Sequence, residues 1–169
     1  MPRGSMWVPG GPHLGASTSM KHSHDRRRYD HKYPSCVRTY VALAVYSKAL
    51  DARSLTKALG LRPSRTMIAG QLMSSIGTPR IAKWNGWFFS SQRKCLSRDL
   101  RAHLDFVLDR IAPAKEALER LLHQDCEAHL SAFWDSAAGN GGPLRDHRII
   151  ARLAEFPLEL HFDIWFSGR

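Results

Sequence analysis

Cysteine is scarce in this chain. Cys36, Cys95 and Cys126 stand far apart, odd in number and with no CxxC spacing. That excludes a disulfide scaffold and a zinc site built on paired cysteines. Long apolar runs are also missing. The longest is centred on Val41–Tyr46, strand-sized and far short of the roughly 20 residues of a membrane span. No apolar segment follows the Arg26–Arg28 run, so a secretory leader is not expected and a cytoplasmic location is. Acidic residues are few: 15 Asp and Glu face 25 Lys and Arg, leaving +10 on 169 residues. Hydrophobic residues nevertheless make up 43 %, enough for an ordinary core in one domain.

What is present divides at residue 36. Residues 1–35 are rich in Gly, Pro and charge and have no apolar period, so a disordered basic tail is expected there. Pro2–Ser5 resembles a protease-site remnant, and Met6 and Met20 are alternative starts. His22, His24 and His31 beside Asp25 and Asp30 are metal-capable side chains, but a solvated tail accounts for them more simply. A single α+β domain is expected over 36–169.

Within it, Thr39–Ser47 is β-branched and aromatic and reads as a strand. Val41, Leu43 and Val45 share one face; Tyr40, Ala42, Ala44 and Tyr46 share the other. Asp51 caps a short helix over 52–59, which Gly60 ends in the left-handed region before Pro63. Strands are expected at 65–71 and 86–91, with a loop or ragged hairpin arm between them broken by Gly77 and Pro79. Ser97 is expected to cap a helix over 98–123, kinked at Pro113. A strand at 127–135, a glycine-rich loop, a helix over 145–156 and an alternating strand at 158–166 close the chain. The order β-α-β-β-α-β matches a ferredoxin-like split βαβ sandwich. Its sheet is antiparallel-dominated with helices on one face, extended by a C-terminal helix and strand.

Tyr40–Tyr46, then Leu55–Thr56, Leu59–Gly60–Leu61 and Pro63–Ser64, resemble the opening of a bacterial family of small domains of unknown function. The likeness runs on through Trp87, the kinked helix with Leu104, Leu108, Pro113 and Leu118, and the closing Leu158–Trp165 with its FDIW. It covers about 130 residues and omits the tail. The resemblance implies a small soluble bacterial α+β domain and carries over no catalytic residues. Some orphan domains of this kind lie beside toxin genes, so an immunity-type toxin partner is one role it implies.

The candidate binding residues are Asp163, His161, Trp165, Arg62, Arg65 and Trp87. Asp163 and His161 sit two apart in a strand and point the same way, an arrangement able to share a proton in a small hydrolase or transferase. A polar outer sheet face explains them as well. No Ser or Cys is placed to complete a nucleophilic triad, and no cofactor or metal motif is legible. Gly139–Pro143 precedes a helix and offers backbone N–H groups to an anion, but it matches no phosphate-loop spacing. Trp84, Trp87, Phe88, Phe89 and Trp134, with Tyr40 and Tyr46 on the far face, are candidates for a stacking platform.

Charge is uneven. Residues 52–101 hold ten bases and one acid, whereas 102–169 hold seven bases and eleven acids. The leading expectation is a non-enzymatic binding or interaction module that associates with itself or another protein through an exposed sheet face or edge. The alternative from another class is a single-stranded nucleic-acid binder using the basic 52–101 segment and exposed aromatics.

Overall fold

The computed structural model describes residues 29–73 and 79–166. The tail reading for residues 1–28, with His22, His24 and Arg26–Arg28, lies outside the described residues, as does the break at Gly77. The elements in chain order are β1 (Cys36–Ser47), α1 (Ala52–Leu59), β2 (Arg65–Met67), β3 (Leu72–Met73), β4 (Arg80–Ile81), β5 (Asn85–Ser90), α2 (Leu100–Ile111), α3 (Lys115–Leu122), β6 (Cys126–Ser136), α4 (His147–Ala154) and β7 (Glu159–Phe166). A 3₁₀ turn, Ala112–Ala114, joins α2 to α3. Pro113 in that turn has no N–H for the helical ladder, which is why the long helix breaks there.

Five strands form one sheet in the order β2-β5-β1-β6-β7, and β3 and β4 pair separately. Within the sheet β2/β5, β5/β1 and β1/β6 are antiparallel, and β6/β7 is parallel. The first four sheet strands and their two helical crossovers therefore make the expected ferredoxin-like arrangement. The α4 crossover adds β7 beside β6, as parallel neighbours require. The strand expected over 65–71 is only three residues long. Gly70 turns the chain at positive φ, and the β3/β4 pair takes up the interval.

The helices cover one face. Val41, Leu43 and Val45 of β1 are fully buried with Leu55, Leu104, Leu108, Leu130 and Ile149. Asp51 caps α1 by accepting the Ser54 N–H, and Gly60 ends it at φ 64°. The α2 cap is Asp99, not Ser97. Ser97 stands two residues earlier and accepts the N–H of Asp99 instead.

Asp99 is also an anchor for the segment before β1. It accepts the Asp30 N–H, while Tyr29 donates to Asp105 at 2.6 Å and His31 shares a 3.0 Å hydrogen bond with Ser97. Tyr33 packs edge-on against Trp134. Residues 29–35 thus pack on the domain, although composition places them in the tail. The glycine-rich loop meets the same segment. The Ala137 N–H donates to the Ser35 carbonyl, and Tyr33 donates to the Gly142 carbonyl. A Cβ at Gly141 would meet Ser35 at 3.0 Å.

Candidate functional site: an open sheet face

The face of the sheet opposite the helices is built from alternate residues of five strands. Register places them in rows across it. Arg65, Phe88, Ala44, His129 and Glu159 make one row; Ser90, Ala42, Ser131 and His161 make the next; Tyr40, Phe133 and Asp163 make the third. The middle row is small on its three inner strands. The outer rows lie two residues, about 7 Å, to either side of Ala42. The result is a trough that crosses the strands, with a floor of Ser90, Ala42 and Ser131.

Rings wall it. On one side Tyr46 meets Phe88 edge-on at 5.6 Å and stacks on His129 at 5.9 Å, and His129 stacks on His161 at 4.2 Å. On the other side Tyr40 stacks on Phe133 at 4.8 Å. Gly86 makes room for this wall, because a Cβ there would lie 2.9 Å from the Phe88 ring. Guanidinium groups cover one ring of each wall: Arg65 lies 4.5 Å from the centre of Phe88 and Arg38 lies 4.9 Å from that of Phe133. The rings therefore turn faces to each other and to cations.

The trough encloses about 570 Å³, lined also by Ser64, Arg65, Gln92 and Arg93. An adjoining cavity of about 370 Å³ shares Tyr40, Gln92 and Arg93 and adds Arg38 and Arg98. Four arginines thus gather at the Tyr40 end and the β2 edge. At the β7 edge the charge reverses, with Glu159 and Asp163. Burial raises the phenol pKa of Tyr40 and of Tyr46. Burial, and then the neighbouring His161, hold His129 below the ordinary imidazole range.

The six candidate residues separate. Arg65 lines the trough. Asp163, His161 and Trp165 share its face, as alternation requires, but they do not form an acid–base pair. His161 bonds Glu159 at 2.8 Å, and Asp163 accepts the Trp165 indole N–H at 2.8 Å. Trp87 points to the other face, fully buried, with its indole N–H donated to Thr56. Arg62 is exposed and is not among the lining residues. The proposed stacking platform is likewise divided: Trp134 and Phe89 join Trp87 in the core, and Phe88 alone of the five reaches the trough.

Sequence reasoning missed one Ser–His pair. Ser91 Oγ lies 2.8 Å from His103 Nδ1, and His103 Nε2 lies 2.7 Å from the Ser97 carbonyl. Both side chains are buried. Burial lowers the His103 pKa, so the neutral ring donates from Nε2 and accepts from Ser91. Ser91 in turn accepts the Val41 N–H. The pair ties α2 to β1 and is closed to a substrate. Its one signal was a histidine between Leu100 and Leu104 on a helix that buries most of its surface. Among the described residues no cluster of three metal-ligating side chains occurs, and no helix is long and apolar enough to cross a membrane.

No curated protein and no solved structure matches the chain. Residues 37–167 match the sequence model of a family described as a domain of unknown function, DUF4279. That span takes in every strand of the sheet from Val37 onward, both walls of the trough and the arginines at its end. The chain therefore belongs to the DUF4279 family, in agreement with the resemblance drawn from its LGL-x-P and FDIW motifs.

Proposed function

We propose that this protein is a non-enzymatic binding module that takes an extended, acidic segment of a partner protein in the trough of its open sheet face. One observation carries the reading: a ring-walled trough with a small-residue floor holds Arg65 and Arg93 in its lining, and the adjoining cavity at Tyr40 adds Arg38 and Arg98. Guanidinium forks match carboxylates in paired hydrogen bonds. An extended chain fits a channel that crosses strands and leaves its own peptide groups to solvent or to Ser90 and Ser131. Catalysis finds less support, since His161 and Asp163 each bond a different neighbour.

Single-stranded nucleic acid is the second reading, favoured by the same arginines. It needs free ring faces for the bases. Here Tyr40 and Phe133 cover each other, and Arg65 covers Phe88. The test is fluorescence anisotropy at low salt with two labelled probes, a Glu/Asp-rich decapeptide and an oligouridine. The peptide should bind more tightly and weaken as salt rises, and Arg65→Glu with Arg93→Glu should lower its affinity at least tenfold. Tighter oligouridine binding would transfer the function to the second reading. Binding of neither probe, or binding indifferent to both arginines, would overturn the proposal.

A further inference from the structure

The β7 strand lies at the edge of the sheet, paired on one side with β6. It is eight residues long, against three for the opposite edge strand β2. Natural sheets shorten or charge such edges because a long apolar one recruits another strand. This one is long, and its last three residues are apolar and exposed. Ile164, Trp165 and Phe166 are 44 %, 57 % and 61 % exposed. The helical layer half-covers Leu160 and Phe162 and stops short of Ile164 and Phe166 on the same face. Nearby in the chain, α4 leaves Ile150 55 % exposed.

We infer that the edge strand β7 pairs antiparallel with β7 of a second copy, joining two five-stranded sheets into one of ten strands. The strand is self-complementary in a single register. Opposed residues in an antiparallel pair point to the same side, so only every second register keeps apolar against apolar. With Phe162 opposite its own copy, Leu160 meets Ile164 and Leu158 meets Phe166. On the other face His161 meets Asp163 and Glu159 meets Trp165. Moving the register by one step in one direction sets Asp163 against Asp163; the other direction sets Glu159 against Asp163. Like charges directly opposite are destabilising. Larger shifts leave most of the strand unpaired. The register centred on Phe162 therefore keeps the whole strand and places no acid against an acid. A closed two-fold pair uses up both β7 edges and leaves only the three-residue β2 edges, so it ends at two chains.

Sedimentation equilibrium on the full chain at tens of micromolar should give twice the 19.1 kDa chain mass. Ile164→Lys should return it to one chain mass with an unchanged circular dichroism spectrum. Arg65→Glu should leave the pair intact, which separates this inference from the trough reading. Register is read by oxidation in a Cys95→Ser background. Phe162→Cys should cross-link two chains, because residue 162 opposes its own copy in this register alone and opposed residues fall within disulfide reach. His161→Cys, which opposes its own copy only in the register that sets Glu159 against Asp163, should not. A wild-type monomer, an open-ended aggregate, or cross-linking through His161→Cys and not through Phe162→Cys would overturn the inference.

Discussion

His103 sits where α2 meets β1, neutral because burial holds its pKa below the ordinary value of 6.5. Burial and His161 act the same way on His129. Below about pH 6.5 the unfolded chain therefore binds protons that the folded chain refuses. The stability these two sites support is complete above that pH and declines as pH falls. Melting temperature should drop between about pH 7 and pH 5.5. His103→Gln should melt lower at neutral pH, having lost a fitted bridge, yet show a shallower decline on acidification. An unchanged slope in that variant would mean the acid sensitivity arises elsewhere. Phe162 shows how residue-level expectation shifts with burial. A core phenylalanine loses about 3–5 kcal/mol on truncation to Ala, but Phe162 is only half-buried. Its Ala variant should lose about 1–3 kcal/mol, a smaller share of the same terms, read from urea midpoints. Gly86→Val should cost about 1–3 kcal/mol by crowding, because its side chain would displace the Phe88 ring.

Among the elements, α2 depends most on one side chain. Burial raises the Asp99 pKa, but the Arg101 guanidinium and the N–H groups of Asp30 and Arg101 outweigh it and hold the carboxyl below its ordinary range. Asp99 thus caps the helix, pairs Arg101 at 2.6 Å and fastens the segment before β1. Asp99→Ala leaves the buried guanidinium with Asp146 as its other carboxylate partner. A loss of about 3–5 kcal/mol is expected for breaking such a buried pair, and Tyr29–Ser35 should become open to proteolysis. Stability within about 1 kcal/mol of wild type would refute the anchor. This element also marks how far the sequence could be read. Periodicity and Pro113 located the broken helix, and alternation in 158–166 located β7 and its two faces. Choosing Asp99 over Ser97 as cap required knowing that Asp99 also accepts the N–H of Asp30, far away in the chain, a tertiary fact. Likewise, alternation sorted Ile164 and Phe166 to the helical side but held no information on where helical cover stops. The short β2 was overestimated because Gly70 at positive φ ends it, and a run rich in Met, Ile and Ala hides that turn.

At the scale of the whole molecule, the +10 charge matters less than its arrangement. Ten bases in 52–101 do not form one patch. Arg93 and Arg98 join Arg38 around Tyr40, and Arg65 lines the trough from the β2 edge, while Lys94 turns to Phe89 and Ser64. Arg62 lines neither cavity. Acids from the second half of the chain occupy the opposite edge of the open face, at Glu159 and Asp163. The candidate site was thus half legible. Period two puts Tyr40 and Tyr46 on the face away from the helices, where register places them, whereas Arg65 is a candidate only as one base of the 52–101 segment. The trough itself was not legible, because it depends on which small residues stand side by side in register. Ser90, Ala42 and Ser131 are far apart in the chain and adjacent in the sheet.

The measurement that tests the central claim most directly is a titration of isotope-labelled protein with an acidic decapeptide, followed by amide chemical shifts. Shifts should be confined to Tyr40–Tyr46, Ser64–Arg65, Phe88–Arg93 and His129–Ser131 and should weaken with salt. Shifts concentrated on α2 and α4, or none along the trough, would contradict that claim.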